Sequence, residues 1–212
     1  MLCSRLEWFL ESNRRINLAQ SGFRRLCSTS DNVIALWSAA LSSGEFLVAV
    51  FFFLDIKGAF ESVNIKLLAS RLQYLGVPNK FCDFVYCIFQ FKDLYIHDEG
   101  YVNRFSFTGV PQGCVLSPIC FNLYINDVFK NFSSDVHVLA YADAVVIFCF
   151  NSDPYIARTR VQEALSNITT RLLDLQLTHS TTKTKAMMFT RRRFNPCLAG
   201  PLTINGQQIS YV

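Results

Sequence analysis

The chain has 212 residues, 51% of them hydrophobic and 17% charged, with a formal net charge of +4. That composition excludes a disordered or strongly charged chain and argues for a packed one. The mild positive balance permits a polyanionic partner without requiring one.

Ser4 and Glu7 stand at capping-box spacing ahead of Trp8, Phe9 and Leu10, so a short helix is predicted to begin there. QSGFRRL, residues 20–26, reads as a basic loop or strand. Ser28 with Asp31 offers a second cap, for a helix carrying Val33, Leu36, Trp37 and Ala40 and ended by Ser42-Ser43-Gly44. Residues 46–54 predict a strand buried on both faces. This longest wholly apolar run is too short to cross a bilayer. Residues 65–75 predict a helix with Leu68, Leu72 and Leu75 on one face, stopped by Gly76-Val77-Pro78. Phe81, Phe84, Val85 and Ile88 make a second helical stripe, and both stripes are predicted to face the core.

Residues 94–107 read as a hairpin turning near Glu99-Gly100. Ser117-Pro118 predicts a helix with Ser as N-cap and Pro in the first turn. Residues 136–150 predict two short buried strands with Ala142 and Asp143 at the turn between them. Asp153-Pro154 opens a long helix through Val161, Leu165, Ile168, Leu172 and Leu175. Residues 185–190 predict a strand, and LTINGQQI a hairpin around Asn205-Gly206, a type I′ signal. Strands and helices mix without strict alternation, so the class is α+β.

The start, MLCSRLEWFLE, lacks a signal-peptide pattern because Glu7 interrupts it, so an intracellular chain, in nucleus or cytoplasm, is expected. The eight Cys form no CxxC pair and read as reduced core residues. His97, His137 and His179 are scattered and suggest no zinc site.

LAYADAVVIFC, residues 139–149, sets one carboxylate inside an apolar run. An acid beside low-dielectric surface is costly unless it is paired or binds a metal. The plainer reading is a turn Asp bonded to its own backbone. FFFLDIKGAF, residues 51–60, is a strand that delivers a second acid, Asp55, at its end. GVPQGCVLSP, residues 109–118, is a Gly/Pro loop that opens a helix. Two acids at the ends of neighbouring strands can share Mg2+, which keeps waters and binds through few carboxylates plus substrate phosphates. Two such ions can clamp an in-line phosphoryl displacement.

This order of segments resembles the reverse transcriptase family, and most closely the polymerase domains of non-LTR (LINE-type) retrotransposons. QSGFRRLCSTSDNV looks like the fingers segment before the palm. FLDIKGAF looks like the first palm motif and GVPQGCVLSPICFNLYIND like the second. YADA looks like the YADD hairpin, and HSTTKTKAMMFT like the lysine-bearing motif that follows. The resemblance implies a right-hand polymerase fold with an antiparallel palm sheet packed on helices. Residues 1–45 would be fingers-like and 46–212 mostly palm with interleaved fingers elements; thumb, endonuclease and ribonuclease H are expected to be missing.

It also implies roles. Asp55 and Asp143 would be metal-binding catalytic carboxylates, and the Ile56 backbone a further carbonyl ligand. Phe60 would screen the sugar 2′ position, its alternative being a core Phe. Gln112 and Gly113 would contact template and incoming nucleotide. Lys183 would protonate or neutralise the leaving pyrophosphate, its alternative being a solvated loop Lys. Arg24 and Arg25 would hold triphosphate. Arg191, Arg192 and Arg193 would follow nucleic-acid backbone, their alternative a solvated charge run.

Implied cofactors are two Mg2+, or Mn2+. Implied partners are an RNA template with a DNA primer and deoxynucleoside triphosphates, with no membrane and no obligate protein partner.

Two positions depart from the family pattern. The second acid of the hairpin tip is Ala144, which offers no ligand, and the first palm motif reads AFE with Glu61 where the family has Asp. The leading expectation is an RNA-directed DNA polymerase weakened or inactive through Ala144. A non-catalytic nucleic-acid-binding relic or co-opted interaction module is the alternative. An unrelated Mg2+ phosphotransferase is disfavoured because the chain has no P-loop pattern.

Overall fold

The computed structural model describes residues 2–42, 48–96, 100–190, 199–209 and 211–212. Helix α1 (Leu2–Ser12) buries Leu6 and Leu10, one turn apart. Ser4 lies inside α1 and does not cap it. Helix α2 (Thr29–Ser42) is entered through the expected reciprocal cap: Asp31 N–H donates to Ser28 Oγ at 3.2 Å and Ser28 N–H to Asp31 Oδ2 at 2.7 Å.

Strand β1 (Val48–Lys57) is the centre of a five-stranded antiparallel sheet. Its side chains alternate. Val50, Phe52, Leu54 and Ile56 enter the main core, while Phe51 joins Phe148 in a second cluster on the other face, where Leu36 of α2 packs. The strand is therefore buried on both faces at Val50, Phe51 and Phe52. It also runs two residues past Asp55, which lies within the strand and not at its end.

Helix α3 (Ile65–Tyr74) starts at Asn64, whose side chain accepts from Leu67 N–H. It buries Ile65, Leu68 and Leu72 and stops where Gly76 adopts a φ of +84°. Helix α4 (Asn79–Gln90) corrects its predicted stripe. The buried positions are Cys82, Val85 and Phe89, whereas Phe84 and Ile88 are 41% and 42% exposed. Cys82 behaves as a small hydrophobe and rotates the buried face away from the larger side chains.

Strands β2 (Phe91–Ile96) and β3 (Gly100–Phe105) form the expected hairpin; the turn placed at Glu99 lies outside the described residues. Helix α5 (Ser117–Tyr124) is buried at every residue except Pro118, its polar Ser117 and Asn122 included. Its N-cap is Leu116, not Ser117. The Ser117 hydroxyl instead donates to the Pro111 carbonyl at 2.6 Å and ties the Gly/Pro loop down.

A short 3-10 turn (Asn126–Phe129) leads to β4 (Val136–Tyr141) and β5 (Ala144–Asn151), joined at Ala142 and Asp143 as expected. Helix α6 (Pro154–Asp174), capped by Asp153, covers the β1–β5 face with Ala157, Val161, Leu165 and Leu172. Strand β6 (Thr178–His179) has no counterpart in the predicted elements. It and β7 (Lys185–Thr190) pair with the same side of β1. Strands β8 (Leu202–Ile204) and β9 (Gln207–Ile209) turn at Asn205 and Gly206, both at positive φ as a type I′ turn demands.

Two isolated parallel bridges complete the sheet. Gln20 meets Ala140 beside β4, and Tyr211 meets Ala186 beside β7. No helix among the described residues is long and apolar enough to cross a membrane.

Candidate active site

The β1–β5 register pairs Asp55 directly with Ala144. Directly paired residues point to the same face with Cβ atoms about 4.5–5.5 Å apart. Ala144 is exposed there, so the missing second acid would have stood opposite Asp55. The tip is held to β1 by Ile56 N–H, which donates to the Asp143 carbonyl at 3.1 Å. Ala142, just before it, is left-handed with φ +56°.

On the other side of β1 the pairing skips. Phe53 pairs with Lys185 and Ile56 with His179, so residues 180–184 face only Leu54 and Asp55. The extra residues bulge outward, a device that re-aims side chains. Both ends of the bulge are tied: Ser180 N–H donates to the Asp55 carbonyl at 2.8 Å, and Thr184 Oγ1–H to the Ser180 carbonyl at 2.5 Å. From the bulge Lys183 Nζ reaches Asp55 Oδ2 at 3.3 Å. The Lys183 side chain is 70% exposed and that of Asp55 24%, so the pair is largely screened by solvent.

Asp55, Ile56, Phe60, Glu61, Gln112, Asp143 and Lys183 line one pocket of about 290 Å³, together with Lys57, Gly58, Ala59 and Ser180. Gln112 Nε2–H donates to Glu61 Oε1 at 3.0 Å, so the residue that replaces the family Asp holds the predicted template-contacting amide. Gly113 has φ +87° with open space around it. Phe60 stacks on Phe121 of α5, centroids 4.9 Å apart, and meets Phe23 edge-on at 6.1 Å. Its ring thus has one side in the core and lines the pocket as well.

Arg24 and Arg25 line a different hollow, of about 420 Å³, with Trp8, Phe23 and Ile119. Arg24 forks onto Glu11 with two 2.7 Å bonds and donates to the Gln20 carbonyl at 2.9 Å. Arg191, Arg192 and Arg193 lie outside the described residues.

Asp55 and Asp143 supply two hard carboxylates, a donor set that fits one Mg2+ that keeps waters and leans on substrate phosphates. Among the described residues no group of three or more His, Cys, Asp or Glu is placed to hold an ion, so the set is short for two. The described cysteines are free thiols. Burial, with Glu7 beside it, pushes Cys3 up to about 11, and burial with Asp135 pushes Cys149 up to about 12, which keeps both protonated at neutral pH.

Sequence reasoning missed Gln20, Gly22, Asn122 and Ser180, all of which support this pocket. Gly22 alone gave a signal, as an isolated glycine in QSGFRRL.

The family described as Reverse transcriptase (RNA-dependent DNA polymerase) matches residues 1–211. A Drosophila melanogaster protein, the Retrovirus-related Pol polyprotein from type-2 retrotransposable element R2DM, is 27% identical over 106 residues, 45% of this chain and 10% of that one. Apo telomerase from Candida tropicalis, truncated from its C-terminal domain, superposes with a TM-score of 0.65 at 16% identity, over 91% of this chain and 41% of its own. Telomerase from Candida albicans in complex with a TWJ fragment of telomeric RNA superposes with a TM-score of 0.63 at 15% identity, over 86% of this chain and 34% of its own. The chain therefore spans about a tenth of that curated relative and under half of these telomerase chains. At these identities the telomerases carry the fold alone, an α+β right-hand polymerase architecture. With the family match spanning nearly every residue, the chain belongs to the reverse transcriptase family.

Proposed function

We propose that this domain is built for RNA-templated addition of deoxynucleotides to a primer and that Ala144 holds its turnover low. The observation that carries the reading is the register: Asp55 stands opposite Ala144, with Asp143 beside it and Lys183 on Asp55. Asp55 and Asp143 would hold Mg2+, which when bound polarises the phosphoryl oxygens and orients the attacking hydroxyl. Phe60 walls the pocket where the sugar 2′ position would lie. Gln112 turns its amide from Glu61 toward template or nucleotide. Lys183 Nζ carries a proton that the leaving pyrophosphate can take up. Losing about 3 kcal/mol of transition-state stabilisation slows a reaction roughly a hundredfold.

A second reading, a nucleic-acid-binding module without synthesis, is favoured by the same Ala144 and by the Lys183 ammonium on Asp55, where a metal would sit. Primer extension on a primed RNA with Mg2+ separates the two. The Ala144→Asp variant is expected to extend about a hundredfold faster than the unaltered chain, and Asp55→Asn not at all. Equal extension by the unaltered chain and Ala144→Asp overturns Ala144 as the lesion. No extension by any variant, with salt-dependent RNA binding retained, selects the binding module.

A further inference from the structure

We infer that Gln20 and Gly22 are positioning residues for the Asp143 carboxylate, acting through the backbone of Ala142. The inference rests on the proposed metal-binding role of Asp143. Gln20 is 0% exposed, unusual for an amide side chain. Both ends of that amide are used. Nε2–H donates to the Ala142 carbonyl at 3.2 Å, and Oε1 accepts from Gly22 N–H at 3.1 Å. Ala142 is the left-handed residue whose conformation sets the direction in which Asp143 leaves the tip. An alanine seldom holds that conformation unaided.

Gly22 lies flat against the tip. A Cβ there would fall 2.3 Å from Ala142 N and 3.0 Å from the Tyr141 carbonyl carbon. Its own carbonyl accepts from Asn122 Nδ2–H on α5 at 2.6 Å. Helix α5 follows the loop that carries Gln112, so one short strap ties the acid-bearing tip to the opposite wall of the pocket. On each side of Gln20 the strap is bonded to β4: Ala140 N–H donates to the Ala19 carbonyl at 2.7 Å and Ser21 N–H to the Ala140 carbonyl at 2.9 Å. A metal's outer supports of this kind orient its ligands, and their removal weakens affinity about ten- to a hundredfold.

The test is Mn2+ binding, read from the free-ion paramagnetic resonance signal, with melting temperature measured alongside. The 212-residue chain is compared with Asp143→Asn, Gln20→Met, Gln20→Glu and Leu172→Ala, the last a buried core position on α6 that bonds neither Gln20 nor Ala142 through its side chain. Asp143→Asn should lose most of the affinity. Gln20→Met and Gln20→Glu should bind about tenfold more weakly. Leu172→Ala should melt earlier and bind as the unaltered chain does. Gln20→Glu keeps the acceptor for Gly22 and, when ionised, loses the donor to Ala142 while adding a buried charge, whereas Gln20→Met removes both bonds and adds no charge; whichever of the two keeps its melting transition decides.

Undiminished affinity in the Gln20 variants, with Asp143→Asn impaired, overturns the positioning role and leaves the metal reading standing. Equal loss in Leu172→Ala also overturns it, by showing general destabilisation. Undiminished affinity in Asp143→Asn overturns the metal reading and this inference with it.

Discussion

Ala144 is exposed, pairs with Asp55 and has nothing to do in the core. A carboxylate fits there sterically, but without a cation it stands against Asp55 as a like charge, a cross-strand pairing that destabilises by about 0.2–1 kcal/mol. Ala144→Asp is therefore expected to melt about 1–3 °C lower in chelator. Millimolar Mg2+ should reverse the loss, because an ion that binds only the folded state stabilises it. Calorimetry with and without Mg2+ reads both arms; a Tm indifferent to Mg2+ would count against the site. The two acids were legible in the sequence because a charge inside an apolar run demands an explanation. Gln20 was not: nothing in QSGF distinguishes a buried amide that clamps a distant carbonyl from a solvated one. Glu11 was equally silent, although it takes both forks of Arg24.

Among the elements, β6 is the instructive omission. Two residues leave no periodicity to detect, and its identity comes only from pairing with Ile56 and Lys57. Yet it starts the bulge that presents Lys183. His179, on this strand, has a buried Nε2 without a hydrogen-bond partner, and burial lowers its pKa from 6.5. The unfolded chain therefore takes up that proton at a higher pH than the folded one. The stability from a neutral His179 is full above about pH 6.5 and is lost as pH falls through the lower folded value. The urea midpoint should drop between pH 7 and pH 5, and His179→Phe should flatten that slope; an unchanged slope would show that His179 does not set it. The long helix α6, the Ser28–Asp31 cap and the Asn205-Gly206 turn were legible because local chemistry alone decides them. The α4 face was misread because Phe84 and Ile88 outrank Cys82 in hydrophobicity, while depth in the fold depends on what the neighbouring elements cover.

At the scale of the whole molecule, the sheet separates two unequal apolar layers. The helix side holds the continuous core, and Phe52 lies wholly within it. Phe52→Ala should cost about 3–5 kcal/mol, a large share of a domain's stability. Trp37, 67% exposed on α2, should cost less than ~0.5 kcal/mol when changed to Ala. Urea titrations of the two variants test this ordering, and a large loss at Trp37 would mean that α2 is more deeply engaged than its exposure indicates. The right-hand architecture was legible from five motifs in order, whereas the packing that joins them depends on distant residues such as Asn122 and Gly22.

The two isolated bridges have a further consequence, for solubility. An open sheet offers free amides and carbonyls on its outermost strands, a template for pairing with other chains. Here the outward groups of Ala140 on β4 are taken by Ala19 and Ser21, and the carbonyl of Ala186 on β7 by Val212 N–H at 2.9 Å. A strand from a second molecule would have to displace those residues before it could zip onto either side. The strap at Gln20 thus guards one margin of the sheet against self-association while it holds the tip.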